Sequence, residues 1–333
     1  MKTTGIVAEY NPFHNGHKAL VDRCRENGAT HIVAAMSGNF VQRGSVAIMD
    51  KRARAAAAIK GGVDLVVELP VPFAVATAEV FARGGVSVLA GLGCVDALSF
   101  GAECEDLSLL QSAAKAVTDP KVDELIKTEL SGGVSYPTAR AYAVRTVYGP
   151  DIADVLEGPN NILAVEYLKE LERRGNPMAV EPMKRVGTGH DGLTATDEFA
   201  SASMLRILLE RGDERAFDFM PATTEVEFKR MVGVGRAPVK VEESERAILS
   251  RLRMLTPEEI LQAPDVSEGL EILKAAKETA TLPVITKPAA IAGLDEKARH
   301  TFELECRATN LYNLATPRIL PCGTEYSDEI VML

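Results

Sequence analysis

The sequence predicts an α/β protein: a doubly wound parallel sheet with a helical insertion and a mostly helical C-terminal region. Three observations lead there. Through the first hundred residues, near-continuous apolar runs of strand length alternate with helix-length segments, the pattern of a parallel sheet covered on both faces. The first run ends in a turn, Asn11-Pro12-Phe13-His14-Asn15-Gly16-His17, which opens a helix. After Glu103 the strand pattern stops and helical patterns follow one another.

In chain order, Thr3 to Glu9 reads as a buried strand, and His17 to Asn27 as a helix with Leu20, Val21 and Cys24 on one face. Thr30 to Met36 is the second strand, ending at Ser37-Gly38-Asn39. Asp50 to Lys60 is helical, with Asp50 placed to accept from the first turn's free N–H groups. Val63 to Leu69 is the third strand, stopped by Pro70 and Pro72, which can neither donate to a ladder nor extend it. Ala74 to Leu89 reads as one long apolar helix, and Ala97 to Phe100 as the fourth strand, ending at Gly101. The segment 106–175 then holds four helices, Asp106 to Val117, Lys121 to Ser131, Tyr136 to Tyr148 and Asn160 to Arg174. Ala179 to Val186 is strand-like, Gly187 to Thr196 a glycine-rich loop, and Ser201 to Arg211 a helix. Beyond Pro221 only short helical patterns remain, Glu242 to Met254 and Ser267 to Glu278, and Ala315 to Leu333 reads as an extended tail. The expected domains are therefore 1–220 and 221–333.

Composition narrows the function. The 333 residues are 46% hydrophobic and 25% charged, with no tryptophan and a net charge of −10. That balance disfavours a general nucleic-acid binder, whose affinity comes from clustered Lys and Arg. The five cysteines, Cys24, Cys94, Cys104, Cys306 and Cys322, are scattered and lack a CxxC pair. This argues against a disulfide framework or zinc site and for a reducing, cytoplasmic setting. No signal peptide and no run of membrane-spanning length is apparent, so no membrane partner is expected.

The His14-Asn15-Gly16-His17 turn is the chemical centre. A helix N-terminus after a strand offers free backbone N–H groups and the positive end of the helix dipole to an anion. Two imidazoles three residues apart can face the same ligand, and Gly16 lets it approach the backbone. Neutral or charged, such rings stabilise charge on a phosphoryl group as its bonds rearrange. Helix capping or metal ligation is the plainer use of an isolated HxxH. The strand before it, with Pro12 and Gly16, points to a nucleotide.

The turn resembles the HxGH signature of nucleotidyltransferases, the HIGH-type Rossmann-like superfamily that splits ATP between its α- and β-phosphates. The likeness extends along the chain. Gly5 to His17, then Met36-Ser37-Gly38-Asn39-Phe40-Val41-Gln42-Arg43-Gly44, then Gly62-Val63-Asp64-Leu65-Val66-Val67-Glu68-Leu69-Pro70 are similar to the tRNA(Met) cytidine acetate ligase family. Phe100-Gly101-Ala102-Glu103, Pro159-Asn160-Asn161-Ile162-Leu163 and Ala200-Ser201-Ala202-Ser203-Met204-Leu205-Arg206 continue it. The resemblance implies an ATP-dependent, AMP-forming ligase. It would activate acetate as acetyl-adenylate, release pyrophosphate, and acetylate the exocyclic amine of the wobble cytidine of elongator tRNA(Met) to N4-acetylcytidine. Acetate is a poor acyl donor, and an acyl phosphate supplies the leaving group it lacks. Such a protein contributes position and charge rather than a covalent nucleophile.

The resemblance assigns His14 and His17 to catalysis. It places ATP on Val7, Ala8, Glu9, Tyr10, Asn11, Pro12, Phe13, His14, Asn15, Gly16, His17, Lys18, Ala19 and Leu20, and on Gly101, Asn160, Asn161 and Arg185. Gly101 lies beyond the carboxyl end of a strand, where doubly wound sheets bind ligands, though a plain turn glycine fits as well. Asn161 could read the adenine or ribose edge; capping the helix is the alternative, open equally to Asn160. Arg185 could clamp phosphate bidentately or be solvated. Ser201, Ser203 and Arg206 match a second phosphate turn at a late helix start, where serine also serves as a plain cap. Ser37, Asn39, Gln42 and Arg43 follow the second strand and are candidates for the acetate pocket or the acceptor base. Lys51, Arg52 and Arg54 read as an exposed helix face, or as contacts to RNA backbone. His190 is a candidate base for the cytidine amine, or a loop histidine without a role; His31 and His300 carry no signal.

No dedicated metal cage is expected, and Mg2+ would arrive with ATP. The C-terminal landmarks Val266-Ser267-Glu268-Gly269-Leu270 and Ala308-Thr309-Asn310-Leu311-Tyr312-Asn313-Leu314 enclose a segment shorter than the family pattern implies. Residues 222–333 carry 14 Lys/Arg against 18 Asp/Glu, a net −4 in the part the resemblance assigns to tRNA. Two alternatives keep part of the reading: a nucleotidyltransferase adenylylating a small phosphorylated metabolite, and a non-catalytic ATP- or RNA-binding protein.

Overall fold

In a computed structural model of the chain, residues 1–185 and 199–244 are described, with 247, 250, 304, 305, 307–309, 312 and 315. They fall into two compact units, Met1–Met231 and Val232–Leu333. Strands β1 (Thr3–Ala8), β2 (His31–Ser37), β3 (Leu65–Leu69), β4 (Ala97–Ala102) and β5 (Ala179–Lys184) form one parallel sheet in the order β3-β2-β1-β4-β5. The chain winds outward from β1 through β2 to β3, then crosses back to β4 and β5. Connections therefore leave β1 and β4 in opposite directions, and their carboxyl ends open a crevice. β5 tolerates Pro182 because it is an edge strand.

Side-chain alternation along the central strands loads both faces. Ile6, Ala8, Ile32, Ala34 and Met36 pack with Leu20, Val21 and Cys24 of α1 (Asn15–Glu26) and Ala57 and Ala58 of α2 (Lys51–Lys60). Val7, Val33, Ala35, Leu98 and Phe100 form the other core with Phe81, Val86 and Leu89 of the following helices. The apolar segment expected as one helix from Ala74 is two, α3 (Val71–Ala74) and α4 (Ala78–Gly91). Thr77 is extended between them, and its carbonyl accepts from Phe81 to begin α4.

The insertion between β4 and β5 is helical as expected: α5 (Leu107–Ala116), α6 (Pro120–Ser131), α7 (Tyr136–Tyr148), α8 (Pro150–Val155) and α9 (Pro159–Arg173). Asp106 and Asp119 cap α5 and α6 by accepting from first-turn N–H groups, and prolines occupy the first turn of α6 to α9. α10 (Ala202–Glu210) and α11 (Ala222–Gly233) follow. α11, which begins after the expected boundary at 220, is anchored to the first unit: Thr224 Oγ1 donates to the Phe13 carbonyl at 2.7 Å, and Glu227 pairs with Lys60 at 2.6 Å.

In the second unit, Val241–Ser244 is a 3-10 turn, and the Lys240 N–H donates to the Ala315 carbonyl at 3.4 Å. Most of the helix expected from Glu242, the whole of that from Ser267, the tail after Ala315 and His190 lie outside the described residues. No helix among the described residues is long and apolar enough to cross a membrane.

The basic cluster on α2 is not the exposed face its charges suggest. Arg54 is fully buried and Lys51 nearly so. Lys51 Nζ pairs with Glu68 of β3 at 2.7 Å. The Arg54 guanidinium donates to the carbonyls of Glu9, Ser37, Gly38 and Met49. Strands that end at a crevice leave carbonyls with no ladder partner, and Arg54 supplies donors to those of Glu9, Ser37 and Gly38.

Candidate active site

The cavity lies at the carboxyl ends of β1 and β4 and encloses about 230 Å³. One wall is the turn into α1. His14 is the N-cap, its Nδ1 accepting from the Gly16 N–H at 3.0 Å, and His17 Nδ1 accepts in return from the His14 N–H at 3.3 Å. This is a capping box built from two histidines. With Nδ1 an acceptor in each ring, the hydrogen of each neutral imidazole sits on Nε2. The rings stack with centroids 3.8 Å apart, and Tyr10 and Phe13 back the His17 ring at 5.0 and 5.9 Å.

Gly16 has a sharper role than open space for a ligand. A Cβ there would stand 2.9 Å from His14 Cε1 and 3.1 Å from Nδ1, so the imidazole itself takes that room. Burial pushes the His14 ring down to about 3, and the Arg185 and Arg206 charges add to the fall. His17 is also pushed well below the ordinary histidine range, first by burial and then by His14 and Arg185, against a backbone hydrogen bond at Pro12. In the free protein both rings are neutral, and His14 Nε2–H is a donor at the cavity wall.

The opposite wall is the start of α10. Ser201 caps it, accepting from the Met204 N–H at 3.1 Å. Arg206 donates to Ser203 Oγ at 3.0 Å and to the Asn11 carbonyl at 2.9 Å, tying this helix to the first turn. Two helix N-termini and two guanidiniums thus face one space. Arg185 is exposed and Arg206 half-buried; desolvation by the surrounding protein shifts both downward, yet guanidinium keeps its charge. Glu9 is the acidic side chain of the lining; its Oε1 accepts from the Gln42 N–H at 2.9 Å. The balance suits a polyanion.

Of the residues proposed from sequence, Val7, Ala8, Glu9, Asn11, His14, His17, Leu20, Gly101, Asn160, Arg185, Ser201, Ser203, Arg206 and Gln42 line this cavity. Gly16 and Ala19 line a smaller neighbouring one of about 70 Å³. Tyr10, Pro12 and Phe13 are buried behind the histidines, Asn15 donates to the Asp218 carbonyl at 3.5 Å, and Lys18 pairs with Asp22 on the surface. Asn161 points elsewhere: its Oδ1 accepts from the Cys104 N–H at 2.9 Å and its Nδ2 donates to the Val155 carbonyl at 3.0 Å. Ser37 and Asn39 belong to the scaffold. Ser37 is fully buried, and Asn39 Oδ1 accepts from the Lys51 N–H at 2.9 Å. The Arg43 side chain lies outside the described residues.

Neither Asn160 nor Asn161 caps α9. Glu103 does, its two oxygens accepting from the Asn160 and Asn161 N–H groups at 3.3 and 2.8 Å. Glu103 also accepts from Asn160 Nδ2 at 2.5 Å, which turns Asn160 Oδ1 toward Arg185, whose Nη1 donates to it at 3.3 Å. The Arg185 stem crosses Gly101, where a Cβ would meet its Cγ at 3.1 Å. Glu103 and the lining residues Phe81, Phe100, Leu163 and Tyr167 were not singled out from sequence as site residues. Glu103 and Leu163 lie within the family-like segments. Phe81 and Tyr167 read as ordinary helix core. Among the described residues no three His, Cys, Asp or Glu side chains gather as a metal site.

Comparison with known proteins places this geometry. The profile of the HIGH Nucleotidyl Transferase family matches residues 1–272. A tRNA(Met) cytidine acetate ligase of Acetivibrio thermocellus is 38% identical over 84% of this chain and 70% of its own length. The Syntrophomonas wolfei protein of the same name is 36% identical over 96% of this chain and 80% of its own. The crystal structure of apo Thermotoga maritima TmcAL superposes with a TM-score of 0.86 at 28% identity, covering 96% of each chain. The same protein bound to alpha-thio ATP gives 0.84 at 27% identity over 98% of each.

Proposed function

The chain belongs to the tRNA(Met) cytidine acetate ligase family of HIGH nucleotidyltransferases, and from that premise we propose how its own residues run the reaction. ATP binds across the β1–β4 crevice, where the helix N-termini and guanidiniums gather, with Mg2+ arriving on the triphosphate; the Thermotoga maritima relative binds alpha-thio ATP. One observation carries the reading: a neutral histidine pair at one helix N-terminus faces Ser203 and Arg206 at another across a single cavity.

A carboxylate oxygen of acetate attacks the α-phosphorus. The bond from that phosphorus to the bridging oxygen breaks, and pyrophosphate leaves. His14 Nε2–H and Arg206 meet the charge that develops on the phosphoryl oxygens. Asn160 and Arg185 fix the nucleotide beside β4. The exocyclic amine of the wobble cytidine of elongator tRNA(Met) then attacks the acetyl carbon, AMP departs with the acyl oxygen, and the amine loses a proton. Because the rings are buried and neutral, they act as hydrogen-bond donors rather than cations, and the two arginines supply the charge.

Incubating the chain with ATP, labelled acetate and bulk tRNA, followed by nucleoside mass analysis, tests this. The expected product is N4-acetylcytidine with stoichiometric AMP. Pyrophosphate release without acetylcytidine would exclude tRNA as the acceptor.

A further inference from the structure

Past its cationic end the cavity becomes apolar. Val7 of β1, Phe81 of α4, Phe100 of β4 and Leu163 and Tyr167 of α9 form that end. Tyr167 is only 2% exposed, its ring packs 5.4 Å from Phe100, and its buried hydroxyl has no hydrogen-bond partner among the described residues. Burying a donor without an acceptor costs about 1–3 kcal/mol, so an orphan on a residue that lines a cavity marks a place where a ligand, on seating against the ring, supplies the acceptor. The hydroxyl is near enough to Glu9, itself a lining residue, to feel its charge. Burial first and that charge second keep the phenol protonated. It is therefore available as a donor, beside aromatic and aliphatic side chains and within the field of Glu9.

We propose that this end is the subsite for the carboxylic acid that is activated. Tyr167 Oη donates to one carboxylate oxygen, while Val7, Phe81, Phe100 and Leu163 enclose a short alkyl group. The inference rests on the ligase reading and adds to it where the acid lies and what sets its length. The chemistry fits a small carboxylate better than a nucleobase. Glu9 aside, the five side chains of this end offer a single donor and otherwise carbon, while a base edge needs several partners. Glu9 would repel a lone anion, but Arg206 feels Glu9 as well. The guanidinium offsets both charges and leaves the second carboxylate oxygen free to face the phosphates. Two phenylalanines and a leucine bound the alkyl group, which makes the pocket select against longer acids.

The test is acetate-dependent ATP–pyrophosphate exchange with the full chain, with ATP affinity measured separately by calorimetry. Tyr167→Phe removes one buried oxygen and should leave the melting temperature unchanged or higher. It is expected to raise the KM for acetate roughly 10- to 100-fold while the Kd for ATP stays within about twofold. Leu163→Ala should raise the kcat/KM ratio of propionate to acetate by at least roughly tenfold. An unchanged acetate KM in Tyr167→Phe, or a loss confined to ATP affinity, overturns the subsite while leaving the ligase reading standing. Exchange in the wild-type chain that does not need acetate overturns both.

Discussion

Replacing Arg54 by methionine keeps most of the apolar stem and removes the guanidinium. In the native structure that group donates from Nε to the Met49 carbonyl at 3.2 Å, to the Ser37 carbonyl at 3.0 Å, and to the carbonyls of Glu9 and Gly38. The side chain has no exposed surface, so the freed carbonyls do not simply rehydrate. Summing four unsatisfied acceptors at ~1–3 kcal/mol each gives a broad upper range. Carbonyls at a crevice rim gain some water on relaxation, which favours the figure for breaking one side of a buried charged cluster, about 3–5 kcal/mol. Against a typical total of ~5–15 kcal/mol that is a large share. At ~2–4 °C per kcal/mol for a unit of this size, the melting temperature should fall by roughly 6–20 °C. Arg54→Lys, with three donors instead of five and no planar fork, should fall between. Urea unfolding of the three proteins, followed by far-UV circular dichroism, measures the order. A methionine variant within about 1 kcal/mol of wild type would mean that Arg54 does not hold the ends of β1 and β2 together.

Three further outcomes follow from the site. Gly16→Ala would set a Cβ 2.9 Å from His14 Cε1; pyrophosphate exchange should drop by more than roughly tenfold with helix content unchanged, and full activity would show that the ring need not sit there. His14 is neutral when folded but takes a proton near its ordinary pH of ~6.5 when unfolded. The unfolded state therefore binds more protons, and stability falls as the pH drops from about 6.5 toward about 3, the His14 share reaching about 2 kcal/mol at about pH 5. His14→Asn keeps a capping oxygen and should flatten the urea midpoint between those pH values, whereas parallel curves would contradict the burial of a neutral ring. Glu103→Gln keeps an acceptor for α9 but sets an amide against the donors of Asn160 and Asn161; about 1–2 kcal/mol of stability and roughly tenfold in ATP affinity should be lost, and unchanged ATP binding would show that Asn160 and Arg185 are placed without it.

Much of this was legible because local rules and the global fold agree. Unbroken apolar runs such as Ile32 to Met36 can only be central strands, and β2 is buried on both faces. Asp50, Asp106 and Ser201 cap helices because a short oxygen-bearing side chain does so wherever the chain turns into one. The histidine turn was readable because its residues act on each other within four positions.

The errors arose where partners lie far apart in sequence. Charges on α2 look solvated unless one knows that three strand-end carbonyls converge on Arg54 across 16 to 45 residues. Asn160 and Asn161 are adjacent and chemically alike; the Glu103 carboxylate, 57 and 58 residues away, turns one toward the cavity and leaves the other in the scaffold. Tyr167 follows the same helical spacing as its core neighbours, and only the closing of α9 over β4 makes it part of a cavity wall. The sequence alone determined the fold class, the histidine turn and the family, because each rests on short-range pattern. Which polar groups face the ligand was decided by tertiary structure, since a buried donor's role depends on the acceptors that packing brings within about 3 Å of it.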